Sequence, residues 1–410
     1  MHSSVRSSRR QILTGSAAAG VTVMLSPTAW AGNAGGVNRE DLGTYTSTTR
    51  SANPANLQSV YNNAPNGTLI LLDNGTYGDF SMNKTSGTSG ARNIIAARYK
   101  HGAVLTGRAE LAGAYNGLWG LKVAGNGSIV LTGGDHTFLW RLLLDGCNNE
   151  AIVMNDGDDH EVLYCTFSNW RQNCINVLRR VRRPLIQRNY FNEMDPAAGN
   201  CIYIGEGAAS AISDKIAARV RYNVLKNIKV FDPSRQYDPQ LIEIKSSNCV
   251  VEFNTLYNQA GFGKGTNLLM RHGQDNIVRS NYLENVNALF VRGLDNSLIA
   301  NRFRTGARLR ISAGNCSAIF TGPAGSLPGG TIRNISDGAK VYQNDGPLDV
   351  GFTQSNFETL PAQRTQIYQH TGNITFDLHA NTVDRRASPA PETAPMGTKL
   401  ADSAVGADAA

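Results

Sequence analysis

The pattern of apolar and polar positions changes character early in the chain. Leu57, Val60, Tyr61 and Ala64 recur at helical spacing and are stopped by Pro65 and Gly67. The run Leu69-Ile70-Leu71-Leu72 follows and ends at Asn74-Gly75, which predicts a short helix leading into a buried strand. From about residue 94 onward short β-rich runs alternate with Gly/Asn turns, and one phrase returns: Phe138-Leu139-Trp140-Arg141, Val162-Leu163-Tyr164-Cys165, Leu185-Ile186-Gln187-Arg188-Asn189, Val220-Arg221-Tyr222-Asn223, Val250-Val251-Glu252-Phe253-Asn254, Ile277-Val278-Arg279-Ser280-Asn281 and Leu298-Ile299-Ala300-Asn301. The last residues of these phrases are 24, 24, 34, 31, 27 and 20 positions apart. Periods of about 20 to 50 residues signal a repeat architecture.

Five consecutive phrases end in Asn, which fits a ladder in which each side-chain amide bonds the next at a tight turn. The longest insertions fall before Asn223 and Asn254. A second strand in each repeat aligns without gaps: Ile175-Asn176-Val177-Leu178, Ile202-Tyr203-Ile204-Gly205, Ile242-Glu243-Ile244-Lys245, Leu268-Leu269-Met270-Arg271, Leu289-Phe290-Val291-Arg292 and Leu309-Arg310-Ile311-Ser312. Alternate side chains of a strand face opposite sides, so the first and third positions fill an interior and the second and fourth form two outward columns. The chain therefore reads as all-β, a right-handed parallel β-helix whose open end is covered by the N-terminal helix. A sandwich would call for close Asn-Gly or Asp-Gly hairpin turns between its strands.

The ends carry different information. Ser8-Arg9-Arg10-Gln11-Ile12-Leu13, an apolar Ala-rich stretch to Leu25 and then Ala29-Trp30-Ala31 predict a signal peptide over residues 1–31 of the twin-arginine type. Residues 32–52 read as a mobile leader, 53–382 as the β-helix, and 383–410, poor in large apolar side chains, as a disordered tail. The expected product is secreted or periplasmic, a monomer, with no membrane insertion once the signal is removed.

Charge refines this picture modestly. The formal net charge is +7, and Arg6, Arg9 and Arg10 with no acid in the first 31 residues leave about +4 for the rest. That excess suits a local basic groove rather than a nucleic-acid-coating surface. Arg179, Arg180, Arg182 and Arg183 form the one dense run, readable either as a solvated turn or as a ligand patch. Six cysteines without a Cys-x-x-Cys pair read as buried apolar side chains rather than a zinc site.

The candidate chemistry lies in the outward columns. Gly205, Lys245, Arg271 and Arg292 fall on successive turns of the fourth column, and Tyr203 and Glu243 on successive turns of the second. Stacked cations call for a polyanion to face, unless they are only solubilising charges with Glu243 paired to Lys245. Tyr203 falls about 8 Å from Lys245 at the backbone, within reach of long side chains. A neighbouring guanidinium favours the neutral amine of a lysine, which can act as a base. Elimination across the C4–O4 bond of a uronate needs a base for the C5 proton, an acid for the leaving oxygen and a cation for the carboxylate; Lys245, Tyr203 and Arg271 fit those roles in that order. His272, Glu243 and Arg292 are candidates for substrate binding, His272 equally for holding a turn.

The residues Pro65, Gly67 and Asn74-Gly75-Thr76-Tyr77, the segment Lys245-Ser246-Ser247-Asn248 with Asn254-Thr255, and Arg271-His272-Gly273 with Asn281 resemble the β-helical polysaccharide lyases of family 6, which includes alginate lyases and chondroitinase B. The resemblance spans about residues 55 to 310. It implies that the lysine is the base, that the arginine supports it, and that a calcium ion is held by glutamates five and seven residues before the lysine. Those positions are Gln240 and Asp238 here. The metal-independent β-helical lyases of family 31, which pair a lysine with a tyrosine, are the nearer resemblance, and no cofactor is expected. The substrate is then an anionic polysaccharide, alginate or a related 1,4-linked polyuronate. The alternatives are a calcium-dependent glycosaminoglycan lyase of the dermatan or chondroitin type and a non-catalytic polysaccharide-binding solenoid. A glycoside hydrolase would need paired outward carboxylates.

Overall fold

The computed structural model describes residues 46–84, 90–194, 199–206, 215–228, 240–259, 267–321, 331–353 and 360–408. The expected signal peptide, most of the leader and much of the insertions before Asn223 and Asn254 lie outside the described residues. The chain winds into a parallel β-solenoid of about 11 turns. Its walls are three long sheets of 14, 15 and 10 strands, with one two-stranded sheet beside them. No helix among the described residues is long and apolar enough to cross a membrane.

Alternation along each strand builds the core. Ile152, Ile175, Ile202, Ile242 and Leu268 pair in succession, as do Met154, Val177, Ile204, Ile244 and Met270, and all ten are fully buried. Each such side chain contributes roughly 1.5–3 kcal/mol by leaving water. The helix Leu57–Asn63 closes the first turn with Leu57 and Tyr61 buried, and Gln58 bonds the backbone of Ser81 in both directions.

The asparagine ladder is continuous. The backbone N–H of Asn189 donates to Oδ1 of Asn223 (2.8 Å), Asn223 to Asn254 (2.9 Å), Asn254 to Asn281 (2.9 Å) and Asn281 to Asn301 (3.1 Å). Asn301 extends it to Asn344 at 3.0 Å. Each rung turns through a left-handed residue just before the Asn, with φ of 55° at Arg188, 55° at Tyr222 and 56° at Phe253. A buried amide at that corner satisfies backbone groups that the turn leaves outside the sheets.

Four expectations are corrected. The first marker belongs one residue later, because Trp140 pairs with Leu163 and so Leu142, not Arg141, stands beside Cys165. Phe290, expected outward, is buried in the core, since Met270 pairs with Phe290 and Leu269 with Leu289. The leader is partly structured: Thr48–Ala52 pairs in parallel with Thr68–Leu72 as the outermost strand of the first sheet. The tail is folded. After the last strand, Val383–Arg385, it turns back along the solenoid, where Gly397 N donates to Ala300 O (2.9 Å), Leu400 N to Thr255 Oγ1 (2.8 Å), Gly406 N to Arg188 O (2.8 Å) and Ala407 N to Thr166 Oγ1 (2.8 Å). Lys399 pairs with Glu284 at 3.0 Å, and Asp402 and Asp408 pair with Lys226 and Lys100.

Candidate active site

The site lies where regular pairing stops in the 15-stranded sheet. Its strands Ile175–Arg182, Ile202–Ile204, Ile242–Ile244, Asn267–Gln274 and Asn287–Leu294 are stacked in that order. The register between the second and third of these holds through Ile204 and Ile244 and then ends. At that edge Gly205 has φ +97°, and a Cβ on it would fall 2.2 Å from the carbonyl oxygen of Lys245. Only glycine permits so close an approach. Gly205 N bonds Val177 O (2.8 Å) and Lys245 N bonds Ile204 O (2.7 Å), which fixes where the lysine side chain leaves the backbone.

On the next turns the same edge is bulged. Arg271 pairs with Arg292 after an extra Val291 on one strand, and Gly273 pairs with Gly293 after an extra His272 on the other. Bulges re-aim side chains at sheet edges. Successive cations at Lys245, Arg271 and Arg292 therefore do share one edge; the side chain of Arg292 lies outside the described residues.

Lys245, Tyr203, Glu243 and Arg271 meet in one cluster. Lys245 Nζ donates to the Tyr203 hydroxyl at 3.0 Å and stands 4.9 Å from its ring centroid. The Tyr203 hydroxyl donates to the carbonyl oxygen of Glu206 at 3.0 Å. Glu243 Oε1 lies 3.2 Å from Lys245 Nζ and 3.8 Å from an Arg271 guanidinium nitrogen, while its Oε2 accepts from Asn200 Nδ2 at 3.0 Å. Glu243 is only 7% exposed, so two cations and an amide compensate a carboxylate that would be costly to bury alone. It faces the cations rather than the solvent, which makes it a positioning group. His272 is 4% exposed with φ +72°, seated in the bulge beneath the exposed row.

Asn200 and Glu206 were not among the sequence candidates. Asn200 sits in a second amide stack, accepting from Gln240 N (2.8 Å) and donating through its own N–H to Asn173 Oδ1 (2.8 Å). Its spacing from Asn173 is that of a rung, a signal the sequence carries. Glu206 follows Gly205 beyond the strand pattern and carries none. Beneath the cluster Cys201 and Cys249 are buried free thiols; burial pushes Cys249 up to about 12, and neither has the character of a nucleophile.

Among the described residues the carboxylates do not fit the calcium site that the resemblance implies. Gln240 is buried and carries a neutral amide where the resemblance places a carboxylate; Asp238 lies outside the described residues. Both oxygens of Glu243 are already engaged by cationic or amide nitrogens. Among the described residues no group of three or more His, Cys, Asp or Glu is placed to hold a metal ion.

No family model and no curated protein sequence matches the chain. Solved structures match it. A mannuronic acid specific family 6 polysaccharide lyase from the human gut microbiota aligns with TM-score 0.60 and 17% identity over 81% of this chain and 83% of that one. A family 6 polysaccharide lyase from Pseudopedobacter saltans aligns with TM-score 0.62 and 14% identity over 87% of this chain and 99% of its own. The family 6 alginate lyase AlyGC aligns with TM-score 0.63 and 13% identity over 87% of this chain but 55% of its own. At these identities the likeness is one of fold.

Proposed function

We propose that this chain is a polysaccharide lyase that cleaves alginate or a related 1,4-linked polyuronate by β-elimination, with Lys245 as base, Tyr203 as acid and Arg271 as the cation facing the substrate carboxylate. The observation that carries the reading is the direct 3.0 Å contact between Lys245 Nζ and the Tyr203 hydroxyl, with Arg271 tied to the same cluster through Glu243. Further support comes from the structural neighbours, which include alginate lyases and one family 6 alginate lyase in complex with a trisaccharide. A polymeric substrate outside the cell also accords with the twin-arginine leader expected at residues 1–31.

The chemistry balances within this cluster. A neutral Lys245 keeps an N–H for Tyr203 and turns its lone pair toward the C5 proton. As that C–H bond breaks, its electrons form the C4–C5 double bond and the C4–O4 bond breaks. Tyr203 gives its proton to the departing O4, and the ammonium of Lys245 returns one to Tyr203 through their shared hydrogen bond. Charge building on the carboxylate and the enolate is met by Arg271. Glu243 takes no proton; it holds the Lys245 amine and the Arg271 guanidinium at a fixed separation. A hydrolytic reading has less to build on, because Glu243 lies beneath the cations instead of flanking a scissile bond.

The purified protein is to be incubated with alginate, glucuronan, pectate and dermatan sulfate, each with and without a chelator, while the ultraviolet absorbance of the unsaturated product is followed. Product from a polyuronate, insensitive to the chelator and lost by at least about 100-fold in Lys245→Ala with unchanged far-ultraviolet circular dichroism, is the expected result. A folded protein giving no product with any of them would sink the reading.

A further inference from the structure

The strand Ile175–Arg182 lies one turn before the Tyr203 turn and carries a bulge at the same edge as Lys245. Met154 pairs with Val177 and Asp156 with Arg180, so Leu178 and Arg179 oppose Asn155 alone. The two extra-edge arginines are exposed, Arg179 at 53% and Arg180 at 70% of the side chain. Arg179 Nε stands 3.4 Å from Oε2 of Glu206, the residue whose carbonyl oxygen accepts the Tyr203 hydroxyl. Arg180 stands 3.9 Å from Asp156. The neighbouring arginines are committed to structure: Arg182 bonds the carbonyl oxygens of Arg179 and Val181, and Arg183 holds Asp158 and Asp159 through three hydrogen bonds of 2.8–2.9 Å.

The geometry points to Arg179, with Arg180 behind it, as a further carboxylate-binding subsite for a uronate residue on the Tyr203 side of the cleaved bond, and to Glu206 as the internal anion that fills this subsite in the free protein. The inference rests on the lyase reading for its substrate class. Arg179 lies two turns from Lys245, about 10 Å along the solenoid, and Arg271 one turn beyond on the other side. A turn spacing close to the length of one pyranose in an extended 1,4-linked chain lets a polyuronate that follows the edge present its carboxylates to this row. The planar guanidinium fork suits a carboxylate, and an exposed pair at 3.4 Å is worth at most about 1 kcal/mol, so Glu206 yields to a bound polyanion. Its departure leaves the carbonyl oxygen that orients Tyr203 in place, since that contact belongs to the backbone.

The test uses Lys245→Ala, which holds substrate without turning it over, and dimers and hexamers of the polyuronate that the wild type cleaves, titrated by calorimetry. Adding Arg179→Ala is expected to weaken hexamer binding about tenfold and leave the dimer unchanged, whereas Glu206→Gln tightens the hexamer a few-fold. Hexamer affinity unchanged by Arg179→Ala, while the wild type still cleaves the polymer, overturns the subsite alone. If the wild type cleaves no polyuronate and no oligomer binds, the lyase reading falls and the subsite falls with it.

Discussion

Replacing Gly205 by alanine tests whether the placement of Lys245, rather than its mere presence, makes the site. The substitution acts in two ways. An alanine at φ +97° is strained by roughly 1–3 kcal/mol. Its Cβ would also sit 2.2 Å from the carbonyl oxygen of Lys245 and 2.7 Å from its carbonyl carbon, and both are backbone atoms that no rotamer change can move aside. Restoring a separation of about 3 Å shifts the Lys245 backbone by about 0.8 Å, in the range where misplacement of a reacting group costs on the order of 100-fold in rate. Gly146→Ala is the control: Gly146 also has a left-handed φ, +71°, but nothing lies within 4 Å of the added carbon, and it stands away from the site. Both variants should lose a few degrees of melting temperature, while only Gly205→Ala should lose about two orders of magnitude in kcat/KM for the unsaturated product. A folded Gly205→Ala protein with the activity of Gly146→Ala would refute the claim that this glycine sets the lysine.

Three further outcomes are expected. Asn254→Ala removes four buried hydrogen bonds, two from Asn223 and two donated to Val220 and Asn281, and should destabilise the protein by about 3 kcal/mol or more in urea; a loss below about 1 kcal/mol would show that the ladder is ornamental. Burial holds His370 at about 4 in place of 6.5, so the folded state favours its neutral form: this stability is complete above pH 6.5 and is lost as pH falls toward 4, about 3 kcal/mol in all, and His370→Gln should flatten that part of the stability profile relative to wild type. Truncation after Arg385 removes the tail's contacts with the solenoid, among them the hydrogen bonds to Ala300, Thr255, Arg188 and Thr166, which alone are worth about 4 kcal/mol together, and should lower the melting temperature by about 5 °C or more with kcat retained; an unchanged melting temperature would mean that the tail is not held in solution.

The repeat was legible because two physical demands recur every turn. Inward positions must be apolar, which exposes the columns through Ile202, Ile242 and Leu268, and the corner before each asparagine must turn left-handed, which exposes the markers from Asn189 to Asn301. What escaped lies where neither demand applies. The tail has too few apolar side chains to build a core of its own, yet it needs none, because the folded solenoid offers it carbonyl and hydroxyl groups along one edge. Composition reports what a segment can bury, not what surface another segment has prepared for it. The strand Thr48–Ala52 was hidden for the same reason: its partner, not its own pattern, makes it a strand.

The site itself shows why alignment by alternation finds the right residues while missing the local register. The ungapped comparison placed Arg271 beside Arg292 correctly but Leu268 beside Leu289, which is one residue out. Both statements hold because Val291 is an inserted residue between them, and a bulge of that kind absorbs the error before the arginine is reached. The same device appears at Leu178 and Arg179 four turns earlier, and between them Gly205 ends the regular pairing outright. The two-residue period is thus abandoned at one edge on several turns, and Arg179, Arg180, Lys245 and Arg271 sit along that edge. A strand that keeps its period can only alternate between core and solvent; breaking it at the same edge on each turn lets a lysine, a tyrosine and arginines from separate turns converge on one groove. The irregularity is therefore where function is to be sought in this solenoid, and it is the part that a periodic reading is least able to register.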